Sequence, residues 1–359
     1  MTLLLNTLTN VINQIAKSVQ LATLVPASLL VLCNLILLLP PLGLDIADVA
    51  ESMFQVSLIV LAIVTISYLL WLLNGPLIKL LEGYTFEDTW LGREMIRRKN
   101  DRFATLDTNL KRCQDHLGRA DEWLEKILPL RHPGSSRQSI QNDPECQKLC
   151  SLREQWLRAQ SRYLEERVNH YPYVPERILP TRLGNTIAAF EHYPYLRYGI
   201  DGQAVWPRLI PFLDKNGFVA YVEKEKSAFD FLLNLTAVTV FLGLECLGLS
   251  CLLLEPQWLL GCVIAVPLVA LAYSTLVTNA VYWGDMTKVA FDLYRHDLRK
   301  ALLVRQPQSL DDEREQWKII SAFLAINEKP PSIMLDYTLI EKRESEDKKE
   351  PGKEDTRNV

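Results

Sequence analysis

Hydrophobic and polar positions in this chain are segregated on two length scales. On the longer one, charged side chains become rare over residues 18–78 and 231–284 and crowd into the remainder. The first of these blocks holds an uncharged stretch at 21–39 and a second apolar stretch at 54–74 that ends in Tyr68 and Trp71, residues suited to a membrane interface. About twenty apolar residues in a helix cover a ~30 Å hydrocarbon core, so each stretch predicts a transmembrane span. Pro40, Pro41 and Gly43 signal the turn between them, and Asp45, Asp48 and Glu51 make the connecting loop acidic. The second block repeats the plan, with a span over about 230–253 and another over about 258–283, separated by Glu255, Pro256 and Gln257. Two transmembrane hairpins are therefore predicted.

On the shorter scale the polar regions carry a helical period. Leu4, Leu8, Val11, Ile12, Ile15 and Val19 share one face over residues 1–20, which predicts an amphipathic helix at the membrane surface; a cleaved signal peptide fits less well, for want of a basic cluster ahead of the apolar run. Phe103, Leu106, Leu110, Leu117, Trp123 and Leu124 do the same over 87–128, and Leu149, Leu152, Trp156, Leu157 and Leu164 over 145–169. A polar connector beginning at His132 joins those two helices. Residues 171–212 are rich in proline and aromatics, where only short helices fit. Beyond the fourth span, Phe291, Tyr294, Leu298 and Ala301 continue the helical spacing toward Leu303, and 310–327 makes one more amphipathic helix. The resulting plan is all-α. It comprises an interfacial helix (1–20), a first hairpin (21–74), a mostly helical insert (75–229), a second hairpin (230–283), a helical extension (284–340) and a tail (341–359) whose composition predicts disorder.

Charge adds orientation and excludes some functions. The two short loops between spans contain no Lys or Arg, whereas Lys17, Lys79, Arg93, Arg97, Arg98, Lys99, Lys224, Lys226, Lys288 and Arg295 flank the spans on the other side. Positively charged flanks stay in the cytoplasm, so both termini and the insert of this multi-pass membrane protein are expected there. Thirty-nine basic against 43 acidic residues give a net charge of -4, which does not suit a general nucleic-acid binder. The Arg97–Arg98–Lys99 cluster instead suits anionic lipid headgroups. Seven scattered cysteines do not form a secreted disulfide framework. Cys146 and Cys150 could share a helix face but lack a second ligand pair, so no metal is expected.

The segment 180–210 and the stretch at 282–302 carry the most distinctive residues: Arg182-Leu183-Gly184-Asn185; Tyr198, Gly199, Asp201, Trp206, Pro207, Arg208 and Leu209; and Phe291-Asp292-Leu293-Tyr294-Arg295. Over 180 to about 325 the chain resembles a family of bacterial four-helix membrane proteins with RLGN, YGxDxxxxWPRL and FDLYR-like segments, with Trp283 separating a Tyr–Gly pair as a small departure. The resemblance implies the architecture and no particular reaction. Read physically, Arg182, Asp201, Trp206 and Arg208 form either a ligand pocket, the arginine forks suiting phosphate or carboxylate, or a collar of Arg–carboxylate pairs and Trp206 that clamps the polar region to the membrane helices. No nucleotide-binding, zinc-protease or hydrolase motif is present, and His192, between Glu191 and Tyr193, reads as a surface histidine in an aromatic loop.

Within the spans Glu245 stands out as an ionisable residue near mid-membrane, where a charged carboxylate costs about 2.5–3.5 kcal/mol. Asn234 lies eleven residues earlier on nearly the same helix face, with Phe241 and Gly248 flanking Glu245, so this stripe is expected to face other helices. A neutral Glu245 bonded across helices and a Glu245 that serves ion or proton passage both fit the position. The sequence thus leads to an integral membrane protein without enzymatic activity or cofactor. Its partners are the lipid bilayer, further copies of itself in a homo-oligomer and a possible cytoplasmic protein. Its insert would gate or organise the transmembrane helices as in a pore; a scaffold recruiting a cytoplasmic partner and a lipid-modifying enzyme are the alternatives.

Overall fold

The structure, a computed structural model, describes residues 22–37, 53–127 and 144–328. The expectations for the interfacial helix 1–20, the first interspan loop, the connector after His132 and the tail 341–359 lie outside the described residues. Everything described is helix or short connection, with no β-strand among the described residues. In chain order the helices are α1 (Ala22–Leu37), α2 (Met53–Glu82), α3 (Trp90–Glu122), α4 (Pro144–His170), α5 (Arg182–Glu191), α6 (Tyr193–Tyr198), α7 (Gly202–Lys215), α8 (Val219–Leu253), α9 (Leu259–Ala301) and α10 (Leu310–Ile326).

Three helical segments are long and apolar enough to cross a membrane: Met53–Glu82, Val219–Leu253 and Pro256–Ala301; α1 is a shorter apolar helix. Their large side chains point mostly outward, as with Leu72 (59% exposed), Val266 (69%) and Leu271 (65%). Apolar surface on this scale is stable against lipid and not against water, so the chain is a membrane protein.

The chain divides into two compact units. One contains α1 from Pro26, α2, α3, α4, α5 as far as Ala189 and the apolar part of the α8–α9 hairpin. Here α3 and α4 pair antiparallel. Arg102 bonds Glu166, Arg167 bonds Asp107 (3.2 Å), Arg153 bonds Asp121 (2.7 Å), and His116 stacks on Trp156 at 4.2 Å. Phe103, Leu106, Tyr171 and Ile178 form the apolar seam, and the Arg167 guanidinium lies 4.0 Å over the Phe103 ring. Ala27, Leu70 and Val238 pack α1, α2 and α8 together. The α8–α9 hairpin closes through two glycines: a Cβ at Gly243 would stand 3.0 Å from that of Ala265, and one at Gly261 only 2.5 Å from the Cys246 sulfur.

The other unit contains residues 190–232 and the chain from Tyr282 onward. Its core joins α7, α9 and α10 through Val205, Leu209, Leu213, Phe291, Leu298, Trp317 and Ile320, all buried. Gly199, with φ of 75° at the end of α6, lets the chain turn where a side chain would strike the Arg314 carbonyl of α10. The Asp201 carboxylate then caps α7 by accepting from the Gln203 and Ala204 amides, and its own amide donates to Ser321 Oγ at 2.9 Å.

Candidate functional site

The Pro/aromatic block folds into a 3-10 turn at Pro175–Arg177 and then α5, α6 and α7, the last running 14 residues through Pro207 and Pro211 and so longer than its prolines predict. In the second unit the last residues of α5, with Pro194 of α6 and one side of α7, line a largely apolar cavity of about 440 Å³. Phe190, Trp206 and Ile210 form walls from the block, and Trp283 and Phe291 close it from α9. Polar groups reach it as well: Gln203, Glu223, Lys226 and Thr287. The Lys226 ammonium is paired with Asp230 one turn along α8 and lies 5.3 Å from the Trp283 ring centre, so its charge is held beside the aromatic wall. An apolar enclosure of this size with a few fixed polar groups is the form that small-molecule sites take.

Beneath the cavity a polar network fixes α6 to α9. Tyr193 and Tyr198 both donate to the Asp292 carboxylate, at 3.0 and 2.7 Å, and the Arg295 guanidinium lies 3.9 Å over the Tyr198 ring. Burial and the Asp292 carboxylate hold the Tyr193 hydroxyl well above its ordinary pKa, so it stays a donor. Arg295 bonds Glu313 of α10 at 3.0 Å, and Glu313 is 6% exposed.

The residues singled out in the sequence have separate roles. Trp206 is partly buried, packs against Phe291 with ring centres 5.7 Å apart, and lines the cavity. Asp201 is a helix cap. Arg208 corrects the expectation of Arg–carboxylate pairs, because it is exposed and folds back onto the Ala204 carbonyl of its own helix. The clamp is instead made by Arg295 with Glu313 and by the two tyrosines on Asp292. His192 corrects another expectation: it is 6% exposed and stacks on Tyr195 at 5.1 Å. An aromatic loop that closes on itself buries the ring it was expected to display.

The RLGN segment belongs to the first unit and divides its work. Leu183 is fully buried. Gly184 lets the α5 backbone meet the end of α2, since a Cβ there would overlap the Glu82 carbonyl oxygen. Asn185 is fully buried and braces the chain ahead of the helix: it accepts from the Leu179 amide (2.8 Å) and donates to the carbonyls of Leu179 (2.8 Å) and Thr181 (2.7 Å). Arg182 points outward at the start of α5.

Within the hairpin, Asn234 is fully buried, as its face predicts. Glu245 is partly buried, and its Oε2 is shielded from solvent with no hydrogen-bond partner among the described residues. Gly248 departs from the expected stripe, having nothing within 4 Å of a would-be Cβ; close helix approach falls to Gly243 and Gly261. The cavity residues Phe190 and Thr287 were not singled out in the sequence, and Lys226 and Trp283 were named there only as a charged flank and as a departure from the resemblance. The one local signal for them is the Lys226–Asp230 pair at helical i,i+4 spacing. Among the described residues no cluster of His, Cys, Asp and Glu could hold a metal. No protein-family model, curated protein or solved structure matches this chain.

Proposed function

We propose that this chain is a bacterial inner-membrane protein of two transmembrane hairpins, with both termini and the 75–229 insert cytoplasmic, and that it acts as a ligand-responsive pore without catalysing a reaction. A small apolar or amphiphilic molecule occupies the cavity beside Trp206, and its presence changes the packing of the transmembrane helices in a homo-oligomer. One observation carries this reading. The cavity takes Val222 and Lys226 from α8 and Trp283 and Phe291 from α9, and those same helices continue as the apolar α8–α9 hairpin. A ligand that spreads or draws together their polar ends acts directly on two helices read as membrane-spanning. Several copies are needed, because four helices give too little wall for a conducting path. In this reading Glu245, whose Oε2 has no hydrogen-bond partner among the described residues, faces that path.

Ion flux through liposomes holding the purified chain tests the reading, with 8-anilinonaphthalene-1-sulfonate as the amphiphilic probe. The probe is expected to alter flux in the wild type but not in Ile210→Trp, which fills the cavity from a partly exposed wall position. Glu245→Gln should reduce flux with little change in stability. Trp206→Ala should remove probe binding and cost about 2 kcal/mol, below the 3–5 typical of a fully buried tryptophan because this one is only partly buried. Absence of flux under every condition overturns the pore.

The topology has its own test. Reporters fused after Asp48 or Pro256 are expected outside the cytoplasm, and reporters at Ser136 or after Val359 inside it. Cleavage of the insert by protease added to intact cells reverses that assignment.

A scaffold is the second reading, favoured by an apolar stripe on α4 where Leu157 (36% exposed), Leu164 (51%) and Val168 (51%) lie at helical spacing. A scaffold conducts nothing, so the flux assay separates the two.

A further inference from the structure

Where α3, α4 and α5 meet, basic side chains converge with little negative charge to match them. Lys99 stands one turn before Arg102 on α3, Glu166 one turn before His170 on α4, and Arg182 one turn before Thr186 on α5. Two contacts bring these rows together. Arg102 grips Glu166 with both arms of its guanidinium, at 3.1 and 2.9 Å, and His170 Nδ1 meets Thr186 Oγ1 at 2.9 Å. Lys99, His170 and Arg182 therefore border one patch. The side chains of Lys99 and Arg182 have no hydrogen bond or ion pair among the described residues. Glu166, the carboxylate that Lys99 feels, is already engaged on both oxygens by Arg102.

We propose that Lys99, Arg182 and His170 form a binding site for a phosphate group, supplied by an anionic lipid headgroup or by free phosphate. Arginine offers a planar fork and lysine a compact charge, the pair of donors by which phosphate is commonly held. Arg102, Glu166 and Tyr171 are the other titratable groups facing the patch. Burial and then Arg182 push the Lys99 ammonium below its ordinary value, and burial followed by Arg182 lowers His170 to about 4. A bound phosphate would favour the charged forms of both groups. The patch also adjoins a candidate span: Thr181, just before Arg182, donates to the carbonyl of Glu82, the last residue of α2, at 2.9 Å. The site is independent of the cavity beside Trp206, so either can fail alone.

The test uses the full chain in two arms. In detergent, inorganic phosphate is titrated while the His170 ring is followed by NMR, with His170→Gln to assign the signal. Saturable binding should raise the His170 pKa by about one unit or more. In vesicles of phosphatidylcholine with and without phosphatidylglycerol, lipid retained through mild extraction is identified by mass spectrometry. Response to free phosphate identifies that source as sufficient; retention of phosphatidylglycerol with no phosphate response identifies the headgroup. The double variant Lys99→Gln/Arg182→Gln should weaken whichever binding is seen by about tenfold or more. Arg158→Gln, an exposed cation on α4 already paired with Glu154, should leave it unchanged. Arg182→Lys, which keeps the charge and loses the fork, should fall between, and it serves if the double variant does not fold. No saturable binding in either arm, or a folded double variant that binds as the wild type does, overturns the site.

Discussion

Asn185→Leu is expected to destabilise the protein by about 3–5 kcal/mol although it barely changes side-chain volume. The asparagine is fully buried and makes three hydrogen bonds to backbone groups of Leu179 and Thr181. A leucine fills the space but leaves the Leu179 amide and carbonyl without this partner, while the Thr181 carbonyl keeps the backbone amide of residue 185; a buried polar group left unmatched costs about 1–3 kcal/mol. Asn185→Asp should fare no better, since a carboxylate still accepts from the Leu179 amide but places negative charge against two carbonyl oxygens it can no longer serve. Denaturant unfolding of the full chain in detergent reads the effect. Because Gly184 beside it seats α5 on the end of α2, the same variant should expose the chain near Thr181 to protease early in the transition. An unfolding midpoint equal to wild type for both variants would mean that this segment is not a structural brace.

Glu313→Gln is the second large effect, expected at about 3 kcal/mol. Glu313 is 6% exposed on the first turn of α10 and holds Arg295 at 3.0 Å, with His296 Nδ1 at 3.8 Å. Arg299, 5% exposed, donates to the carbonyls of Val304 and Arg305 in the turn that leads toward α10. Removing the carboxylate bonded to Arg295 leaves a partly buried cation that keeps the Asp292 carbonyl and the Tyr198 ring but loses its counter-charge, and breaking a buried pair from one side costs about 3–5 kcal/mol. The amide keeps the shape and one possible hydrogen bond, which places the expected loss at the lower end. Replacing Arg295 and Glu313 together by Met and Leu should restore much of the stability, because the surviving charge is then absent. Thermal unfolding of the three variants gives the comparison. A double variant as unstable as Glu313→Gln would show that packing at this position, and not charge, holds α10 in place.

The sequence by itself determined the elements whose causes are local. A helical period over 145–169 became Pro144–His170, one over 310–327 became Leu310–Ile326, and uncharged runs of about twenty residues became apolar helices, because helix hydrogen bonds and bilayer thickness both act on contiguous residues. The same reading set the start of the third span near 230, whereas α8 begins at Val219. Charge content marks where a helix leaves an apolar environment, and nothing in it stops the helix from continuing. Burial of Asn234 followed from its helix face, but the choice of Gly243 and Gly261 over Gly248 for close approach did not, since it depends on which residue of the neighbouring helix lies opposite. Arg208 had the right chemistry for a clamp and bonds a carbonyl of its own helix instead of a carboxylate, while Asp292 meets Tyr193 and Tyr198 from 99 and 94 residues further along the chain. The cavity beside Trp206 and the convergence of Lys99, His170 and Arg182 belong to the tertiary structure for the same reason. Each joins side chains from separate helices, and the distance between them is set by packing that no local period encodes.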